Sequence, residues 1–492
     1  MGTTVFNFHI CNCGDDGNEG IRIHNCCKCD CDAAPGTDPG TDPGTDPGTD
    51  PGTDPGTDPG TDPDRYPEDG EGAANIALFG SKDSLDEFMG VAATEDGFAV
   101  CGDMGEGNKL LLVNYGEELN VIGKSGFCQN PPKYDPKLNY ARDIISLADG
   151  RTVTAGLAGP ASNGSLLVVN KDLSIDRQKI GVQPAQFTSW YYENIIPAPS
   201  GFEGQAKYLT VGGSGGHGIL VALDKDFNRI VHHTVGPNVH YYGTAARKSQ
   251  IVAVGHNNES AIICSFDANL NLQKMHVLAG DVKCGLRRVL PLAKGGYIAA
   301  GVLGSAILLV TFAEDLTITG KSTIQGAGTN IVNSFKPSLD GGYIIAGQTT
   351  SAGAGGWDAL LMVLDQDLNI TKSLTMGTSS EDVAFGGIQK KNGSYAMVGR
   401  TYGAGAGKGD AFIATFKGMF SDLTGDMPKY PALKVNGRPS FSTSNAVEFS
   451  VNVEPTLQAA LNSSRSFGEG SLKVDSLAEM IENPNLAIPA SI

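Results

Sequence analysis

Short apolar runs alternate with turn residues over most of the chain and form a repeating pattern. In each repeat, an apolar segment ending in a small residue and glycine is followed by a loop and a second apolar segment, which ends at an Asp- or Asn-rich turn. Short apolar runs between turn signals predict β-strands. The clearest copy spans residues 340–368. The strand-ending glycines are Gly102, Gly156, Gly212, Gly255, Gly301, Gly347 and Gly399.

The spacing of these glycines predicts a ring of β-sheets. They lie 43 to 56 residues apart, and units of about 40–50 residues with four short strands are typical of β-propeller blades. The second apolar strands are expected at 110–113, 166–169, 219–223, 261–266, 306–312, 359–364 and 411–416. We therefore expect an all-β fold, a seven-bladed β-propeller over residues 73–418, with an open solenoid as the alternative.

Ring closure is predicted from the two ends of the repeat. The last unit has three apolar strands and leaves the pattern at Gly418. The chain enters the repeat with an outer-strand pattern made by Ile76, Ala77, Leu78 and Phe79. We expect this segment to complete the seventh blade, because such pairing leaves no long open edge between the first and last blades.

Three further segments flank the predicted propeller. Residues 1–34 hold six of the ten cysteines, and residues 35–72 form an acidic spacer that contains seven copies of Pro-Gly-Thr-Asp. Residues 419–492 predict a tail with one strand near 447–453 and a short helix that begins at Ser476. We expect this tail to pack on the propeller or on a neighbouring molecule.

The net charge of −18 is concentrated near the N-terminus. Residues 1–72 carry 16 acidic and 3 basic side chains, which leaves a net charge of −5 for residues 73–492. A protein with no basic face does not attract phosphates, so we expect no nucleic-acid partner. No apolar run reaches the ~18 residues of a membrane span, so no membrane insertion is expected.

The N-terminal cysteines predict a crosslinked module. A segment with so few apolar residues needs crosslinks, a metal or a partner chain to be stable. Disulfides within or between chains, a structural metal and free thiols are the open alternatives, and no other cofactor is expected. The start lacks a signal-peptide pattern, so no Sec-dependent export is expected. The cysteines are Cys11, Cys13, Cys26, Cys27, Cys29 and Cys31.

The sequence contains no catalytic signature, and we expect the protein not to be an enzyme. It has neither a Gly-x-Ser-x-Gly elbow nor a His-Glu-x-x-His motif. Aromatic residues precede the inner strands of blades 2–4, near the central channel, where they could stack a sugar or receive a partner; packing between blades is the alternative. The ligand-binding candidates are Tyr140, Arg142, Trp190, Tyr191, Tyr192, Tyr241 and Tyr242. Arg287 and Arg288 open blade 5 on the same expected face.

The sixth unit resembles a known repeat. Asp-Gly-Gly-Tyr-Ile-Ile-Ala-Gly at 340–347, the Gly-rich loop after it, Trp-Asp-Ala-Leu-Leu at 357–361 and Asp-Gln-Asp-Leu-Asn at 365–369 carry the resemblance. Together they resemble the β-propeller repeats of large bacterial surface and secreted proteins, sometimes called delta-60-type repeats. The resemblance implies a propeller fold and a display role, and it carries no catalytic residues.

A cysteine-rich head, an acidic tether and a propeller are typical of a displayed binding protein. A virion protein assembles in a reducing cytosol and meets oxidant only after lysis, so its disulfides need no signal peptide. Our first hypothesis is a phage virion protein (capsid decoration, neck or tail fibre) that residues 1–34 anchor to other virion subunits. Its propeller would present a surface to a carbohydrate or a host-surface receptor. The alternatives are a bacterial cell-surface or extracellular filament subunit joined through the N-terminal cysteines, and a polysaccharide-active propeller enzyme.

Overall fold

The computed structural model describes the predicted propeller region and parts of the tail. The described residues are 73–80, 84–105, 109–129, 140–158, 163–180, 191–214, 216–236, 238–405, 408–427, 430–445, 450–453 and 472–475. The six clustered cysteines, the Pro-Gly-Thr-Asp spacer, Trp190 and the expected helix at Ser476 lie outside these residues. The predictions for those segments therefore stay predictions.

Each of the first four blades has four consecutive antiparallel strands, which follow strand β1 (Ala73–Phe79). Blade 1 contains β2 (Asp86–Ala93), β3 (Gly97–Met104), β4 (Lys109–Gly116) and β5 (Val121–Gln129). Blade 2 contains β6 (Tyr140–Ser146), β7 (Thr152–Ala158), β8 (Asn163–Val169) and β9 (Ile175–Ile180). Blade 3 contains β10 (Tyr191–Pro197), β11 (Tyr208–Ser214), β12 (His217–Leu223) and β13 (Arg229–Val235). Blade 4 contains β14 (Val239–Arg247), β15 (Gln250–Asn257), β16 (Ser260–Asp267) and β17 (Leu272–Ala279).

The remaining blades repeat this order, and the last one recruits β1. Blade 5 contains β18 (Cys284–Pro291), β19 (Tyr297–Leu303), β20 (Ala306–Phe312) and β21 (Ile318–Gln325). Blade 6 contains β22 (Asn330–Pro337), β23 (Tyr343–Thr349), β24 (Asp358–Leu364) and β25 (Ile370–Gly377). Blade 7 contains β26 (Asp382–Gln389), β27 (Tyr395–Thr401), β28 (Asp410–Lys417) and, as its outer strand, β1.

Pairing of the first and last strands closes the ring. β1 runs antiparallel to β28, with a register from Ala73 opposite Lys417 to Phe79 opposite Ala411. In the described chain the buried apolar residues form seven cores, and each of them lies between two neighbouring blades, including the pair formed by blades 7 and 1. The predicted seven-bladed propeller is therefore confirmed, and the open solenoid is wrong.

A strained turn between the third and fourth strands anchors a side chain in these cores. At Leu270 the backbone has φ of 65°, and its side chain is fully buried. The Asp267 carboxylate accepts hydrogen bonds from the backbone N–H groups of Asn269 and Asn271, both at 2.9 Å. A left-handed conformation costs a bulky residue about 1–2 kcal/mol, which burial of its side chain offsets. The equivalent residues with positive φ are Leu119, Leu173, Phe227, Leu316 and Leu368.

Every inner strand has a β-bulge opposite the repeated glycine. In blade 4, Tyr241 pairs with Gly255 and Gly243 pairs with Val254, so Tyr242 is left unpaired between them. A Cβ atom at Gly255 would lie 1.7 Å from the carbonyl oxygen of His240, so only glycine fits there. A bulge bends its strand and redirects one side chain. The unpaired residues are Met89, Arg142, Glu193, Tyr242, Arg287, Asn333 and Phe385.

The described strands of the tail extend the outer edges of four blades. Blade 6 gains β29 (Thr424–Met427) and β30 (Tyr430–Asn436), blade 5 gains β31 (Ser442–Ser444), blade 4 gains β32 (Ser450–Val453) and blade 1 gains β33 (Leu472–Asp475). A short 3-10 helix, Phe420–Asp422, precedes them. The sequence predicted one of these strands. The others were not predicted, because an added edge strand depends on backbone pairing and not on an apolar pattern. No helix among the described residues is long and apolar enough to span a membrane.

We predict that Gly255→Ala destabilises the propeller by about 1–3 kcal/mol, because the added methyl group overlaps the His240 carbonyl and forces the backbone to move. Gly285→Ala is the matched control, since a Cβ atom there lies 3.7 Å from its nearest neighbour, Cβ of His256. Urea denaturation of both variants measures the difference in the free energy of unfolding. Equal stability of the two variants would contradict the role assigned to the repeated glycine.

Candidate functional site

The inner strands begin at the same end of the central channel, where residues of these strands and of the second strands form a polar cluster that we call the channel mouth. The cluster joins side chains of blades 7, 1, 2, 3, 4 and 5, and most of these side chains are half-buried. Its members are Glu87, Asp103, Tyr140, Arg142, Tyr191, Glu193, His240, Tyr242, His256, Arg287, Arg288 and Arg400.

Tyr191, Glu193 and His240 form a linked group between blades 3 and 4. The Tyr191 hydroxyl lies 2.8 Å from Nδ1 of His240, and Nε2 of the same imidazole lies 3.6 Å from Oε1 of Glu193. Burial raises the pKa of Tyr191, which keeps the phenol neutral. Burial would also raise the pKa of Glu193, but its contact with His240 and the charges of Arg142 and Arg288 outweigh burial and lower that pKa. The group therefore holds one carboxylate in its ionised form.

Tyr242 is surrounded by cationic and imidazole groups between blades 4 and 5. The guanidinium of Arg287 lies 4.5 Å from the centre of the Tyr242 ring. The centres of the His240 and Tyr242 rings are 4.2 Å apart. Arg288 donates a hydrogen bond from Nη1 to the carbonyl oxygen of Tyr242 at 2.6 Å. Arg142 similarly lies 4.6 Å from the centre of the Tyr140 ring, so guanidinium groups cover part of both tyrosine rings.

A carboxyl pair and an arginine complete the mouth where blades 7 and 1 meet. Nη1 of Arg400 donates to Oε2 of Glu87 at 2.7 Å. Burial, together with the charge of Glu87 and a hydrogen bond to it, raises the pKa of Asp103 to about 8. Asp103 therefore retains its proton at neutral pH and donates a hydrogen bond to Glu87.

Hydrogen bonds between blades narrow the channel below the mouth. The Asn194 amide donates to Oδ2 of Asp143 at 2.7 Å, and the backbone N–H of Thr244 donates to Oδ1 of Asn194 at 3.2 Å. From blade 6, Nζ of Lys336 donates to the carbonyl oxygen of Val91 in blade 1 at 3.0 Å. These bonds surround a cavity of about 190 Å³, which lies directly beneath the mouth.

A groove of about 750 Å³ lies at the other end of the inner strands, by the hairpin turns of blades 7, 1 and 2. Two of its lysines are paired with acidic groups. Nζ of Lys171 lies 2.9 Å from Oε2 of Glu95, and Lys390 forms an ion pair with Glu117. Adjacent carboxylates therefore neutralise the charges of these two lysines.

Two of the predicted ligand-binding residues belong to the core, and their assignment is corrected here. Tyr192 and Tyr241 are both fully buried, in the apolar cores between blades 2 and 3 and between blades 3 and 4. Successive side chains of a strand point to opposite faces, so Tyr191 and Tyr192 cannot both face the channel. The other described candidates, Tyr140, Arg142, Tyr191 and Tyr242, belong to the channel mouth.

Sequence reasoning missed Glu193 and the group formed by Glu87, Asp103 and Arg400. An alignment of the seven units on the repeated glycine would have found Glu193, because it occupies the same unpaired position as Arg142. The Asp103 pair has no such signal, since it depends on contacts between different strands and blades.

The described residues contain no group of three or more His, Cys, Asp or Glu side chains placed to hold a metal ion. Cys101, Cys264 and Cys284 are buried free thiols. Burial raises the pKa of Cys264 to about 12 and that of Cys284 to about 11, so neither is a reactive thiolate at neutral pH.

Comparison with known proteins identifies no family. No protein-family model matches the chain, and no curated protein matches it. Among solved structures, a 6-phosphogluconolactonase candidate from Bacteroides fragilis is 13% identical with a TM-score of 0.39, and covers 66% of this chain and 90% of its own. A second such candidate, from Bacteroides uniformis, is 11% identical with a TM-score of 0.38, and the match covers 66% of this chain and 91% of that chain. Sqt1 of Saccharomyces cerevisiae is 10% identical with a TM-score of 0.41, and the match covers 66% of this chain and 83% of that chain.

We predict that Asp103 makes stability fall as the pH rises. Its pKa in the fold, about 8, exceeds the ordinary value, so the folded state binds its proton more tightly than the unfolded state does. The stabilisation of the fold by protonated Asp103 is complete below pH ~4 and is lost as the pH rises to about 8. Asp103→Asn keeps a donor toward Glu87 without a titrating group.

The measurement is the difference in unfolding free energy between Asp103→Asn and the wild type, taken by urea denaturation from pH 5 to 9. The free energy of unfolding of the variant should rise relative to that of the wild type as the pH rises. Asp281→Asn, at an exposed position, is the control and should show no such trend. A constant difference across the pH range for Asp103→Asn would refute the protonated pair.

Proposed function

We propose that this protein is a non-enzymatic recognition protein that binds a carbohydrate at the channel mouth. One observation carries the proposal: the bulges of four consecutive blades place Arg142, Glu193, Tyr242 and Arg287 together at one end of the channel. A hydroxyl-rich ligand needs several hydrogen-bonding groups at fixed positions in a concave site. The mouth supplies phenol, imidazole, carboxylate and guanidinium groups on strands of a closed ring.

The engagement of the titratable groups with one another favours binding over catalysis. Nδ1 of His240 lies at hydrogen-bonding distance from Tyr191, 2.8 Å, and Nε2 faces the Glu193 carboxylate at 3.6 Å. A general base must be within reach of the proton that it removes from a substrate. The raised pKa of Tyr191 also opposes its use as a base. A polysaccharide-active enzyme is therefore the weaker alternative.

We further propose that the protein is displayed on a virion, with residues 1–34 as its anchor and residues 35–72 as its tether. The proposal rests on the sequence: a cysteine cluster, an acidic repeat spacer and the resemblance of the sixth unit to delta-60-type repeats of bacterial surface proteins. A subunit of a bacterial surface or extracellular filament, joined through the same cysteines, is the alternative setting.

We predict that the full-length protein binds at least one member of an array of purified bacterial surface polysaccharides. Tyr191→Phe removes one hydroxyl from the mouth and should weaken that binding about 2- to 12-fold, as expected for one hydrogen bond. Tyr208→Phe is the matched control, since Tyr208 stacks on Phe227 at the opposite end of blade 3. Chromatography of the bound polysaccharide tests for cleavage. An array without any binding, or cleavage that Tyr191→Phe abolishes, would contradict the proposal.

We predict that deletion of residues 1–34 leaves a folded, monomeric propeller that no longer joins particles. The apolar cores and strand pairs described above all lie in residues 73–475, so the deletion removes none of them. Immunoblots of purified particles from complemented cultures measure incorporation, and circular dichroism checks the fold. Incorporation of the shortened chain at the wild-type level would refute the anchoring role.

A further inference from the structure

Three arginines of the channel mouth converge without a carboxylate partner. Arg142, Arg287 and Arg288 form no ion pair with any carboxylate among the residues that the structure describes. By contrast, Arg400 pairs with Glu87 at 2.7 Å, and Arg151 pairs with Asp149 at 2.7 Å. Nε of Arg142 is also buried and lacks a hydrogen-bond partner among the described residues. The carboxylates of Glu193 and Asp143 act on Arg142 and Arg288 from a distance, so the mouth presents three guanidinium groups that no carboxylate of the described residues contacts directly.

These arginines are close enough to influence one another. Burial lowers the pKa of Arg288, the negative charges of Asp143 and Glu193 oppose that effect, and the positive charges of Arg287 and Arg142 lower the pKa further. Like charges in a partly buried site repel each other strongly, and a bound anion removes that cost. The mouth thus favours a negatively charged ligand.

The guanidinium groups are held in place before any ligand arrives. Arg288 donates from Nη1 to the carbonyl oxygens of Tyr242 and Arg287, at 2.6 and 2.9 Å. Arg287 lies over the Tyr242 ring, and Arg142 lies over the Tyr140 ring. Planar guanidinium groups match the geometry of a carboxylate, and little entropy is lost when their positions are already fixed.

We propose that the mouth binds an acidic saccharide, a sugar whose carboxylate lies among Arg142, Arg287 and Arg288. The proposal rests on the carbohydrate-binding function proposed above and specifies its ligand class. A neutral sugar depends more on stacking against open aromatic faces, and guanidinium groups already cover part of the Tyr140 and Tyr242 rings. The ionised Glu193 and the neutral Tyr191 then face the hydroxyl groups of the same sugar.

The test uses the full-length protein and matched pairs of polysaccharides. Each uronate- or sialate-containing polysaccharide is paired with its carboxyl-reduced form, in which a neutral hydroxymethyl group replaces each carboxylate. Neutral and phosphate-bearing polysaccharides complete the set. Binding is measured by biolayer interferometry at about 50 and 500 mM NaCl, because screening weakens a charge-dependent contact.

We expect at least one native acidic saccharide to bind about tenfold or more tightly than its reduced form, with affinity falling at high salt. Arg287→Gln should weaken this binding at least about tenfold, as expected for loss of a charge-assisted hydrogen bond, and Arg287→Lys should restore part of it. Arg151→Gln removes the same charge from the opposite end of the inner strands and should leave the affinity within about twofold.

The outcomes separate the two proposals. Equal binding of native and reduced forms, or binding of neutral or phosphate-bearing saccharides alone, would overturn the acidic-sugar assignment and leave carbohydrate binding in place. Loss of binding in Arg151→Gln that equals the loss in Arg287→Gln would also overturn it, because a nonspecific charge effect would then explain the result. The absence of binding to every saccharide would overturn the proposed function itself.

Discussion

The close approach of an inner-strand carbonyl to a glycine of the next strand determines the shape of the channel. All seven repeated glycines share it: a Cβ atom at any of them would lie between 1.7 and 2.0 Å from a carbonyl oxygen of the inner strand. The missing side chain makes room for a bulge, and each bulge leaves one residue outside the ladder. Blades 2 to 5 use this position for Arg142, Glu193, Tyr242 and Arg287. The same backbone feature that shapes the blades therefore assembles the polar mouth.

The closed ring stabilises the backbone that carries the residues of the mouth. Half-buried arginines that repel one another destabilise a fold unless other contacts hold their backbone in place. Here each inner strand lies between two apolar cores, and the β1–β28 pairing extends this arrangement around the ring. Hydrogen bonds from Asn194 to Asp143 and from Lys336 to Val91 add links between blades beneath the site. The scaffold thus holds the backbone of the arginines in place, so these residues cannot move apart to reduce their repulsion.

The architecture could be predicted from the sequence, whereas the site could be predicted only in part. Glycine spacing and apolar strands report local backbone geometry, so the seven blades and the outer strand near Leu78 were recognisable. Tyr191 and Arg142 were recognised as mouth residues by their place before an inner strand. Tyr192 and Tyr241 were misassigned, because adjacent aromatic residues look alike until the strand register decides which one faces the core. Glu193 escaped notice because its role depends on His240 and Arg142, which are distant in sequence and meet only across blades.

The most direct test of the channel mouth as the binding surface is hydroxyl-radical footprinting of the full-length protein, with and without the saccharide that binds it best. Oxidation of exposed side chains is read by mass spectrometry. We expect the saccharide to lower oxidation of Tyr140, Tyr191 and Tyr242 and to leave oxidation of Ile122, in the groove at the opposite end, unchanged. Protection of Ile122 with unaltered oxidation of the three tyrosines would contradict it.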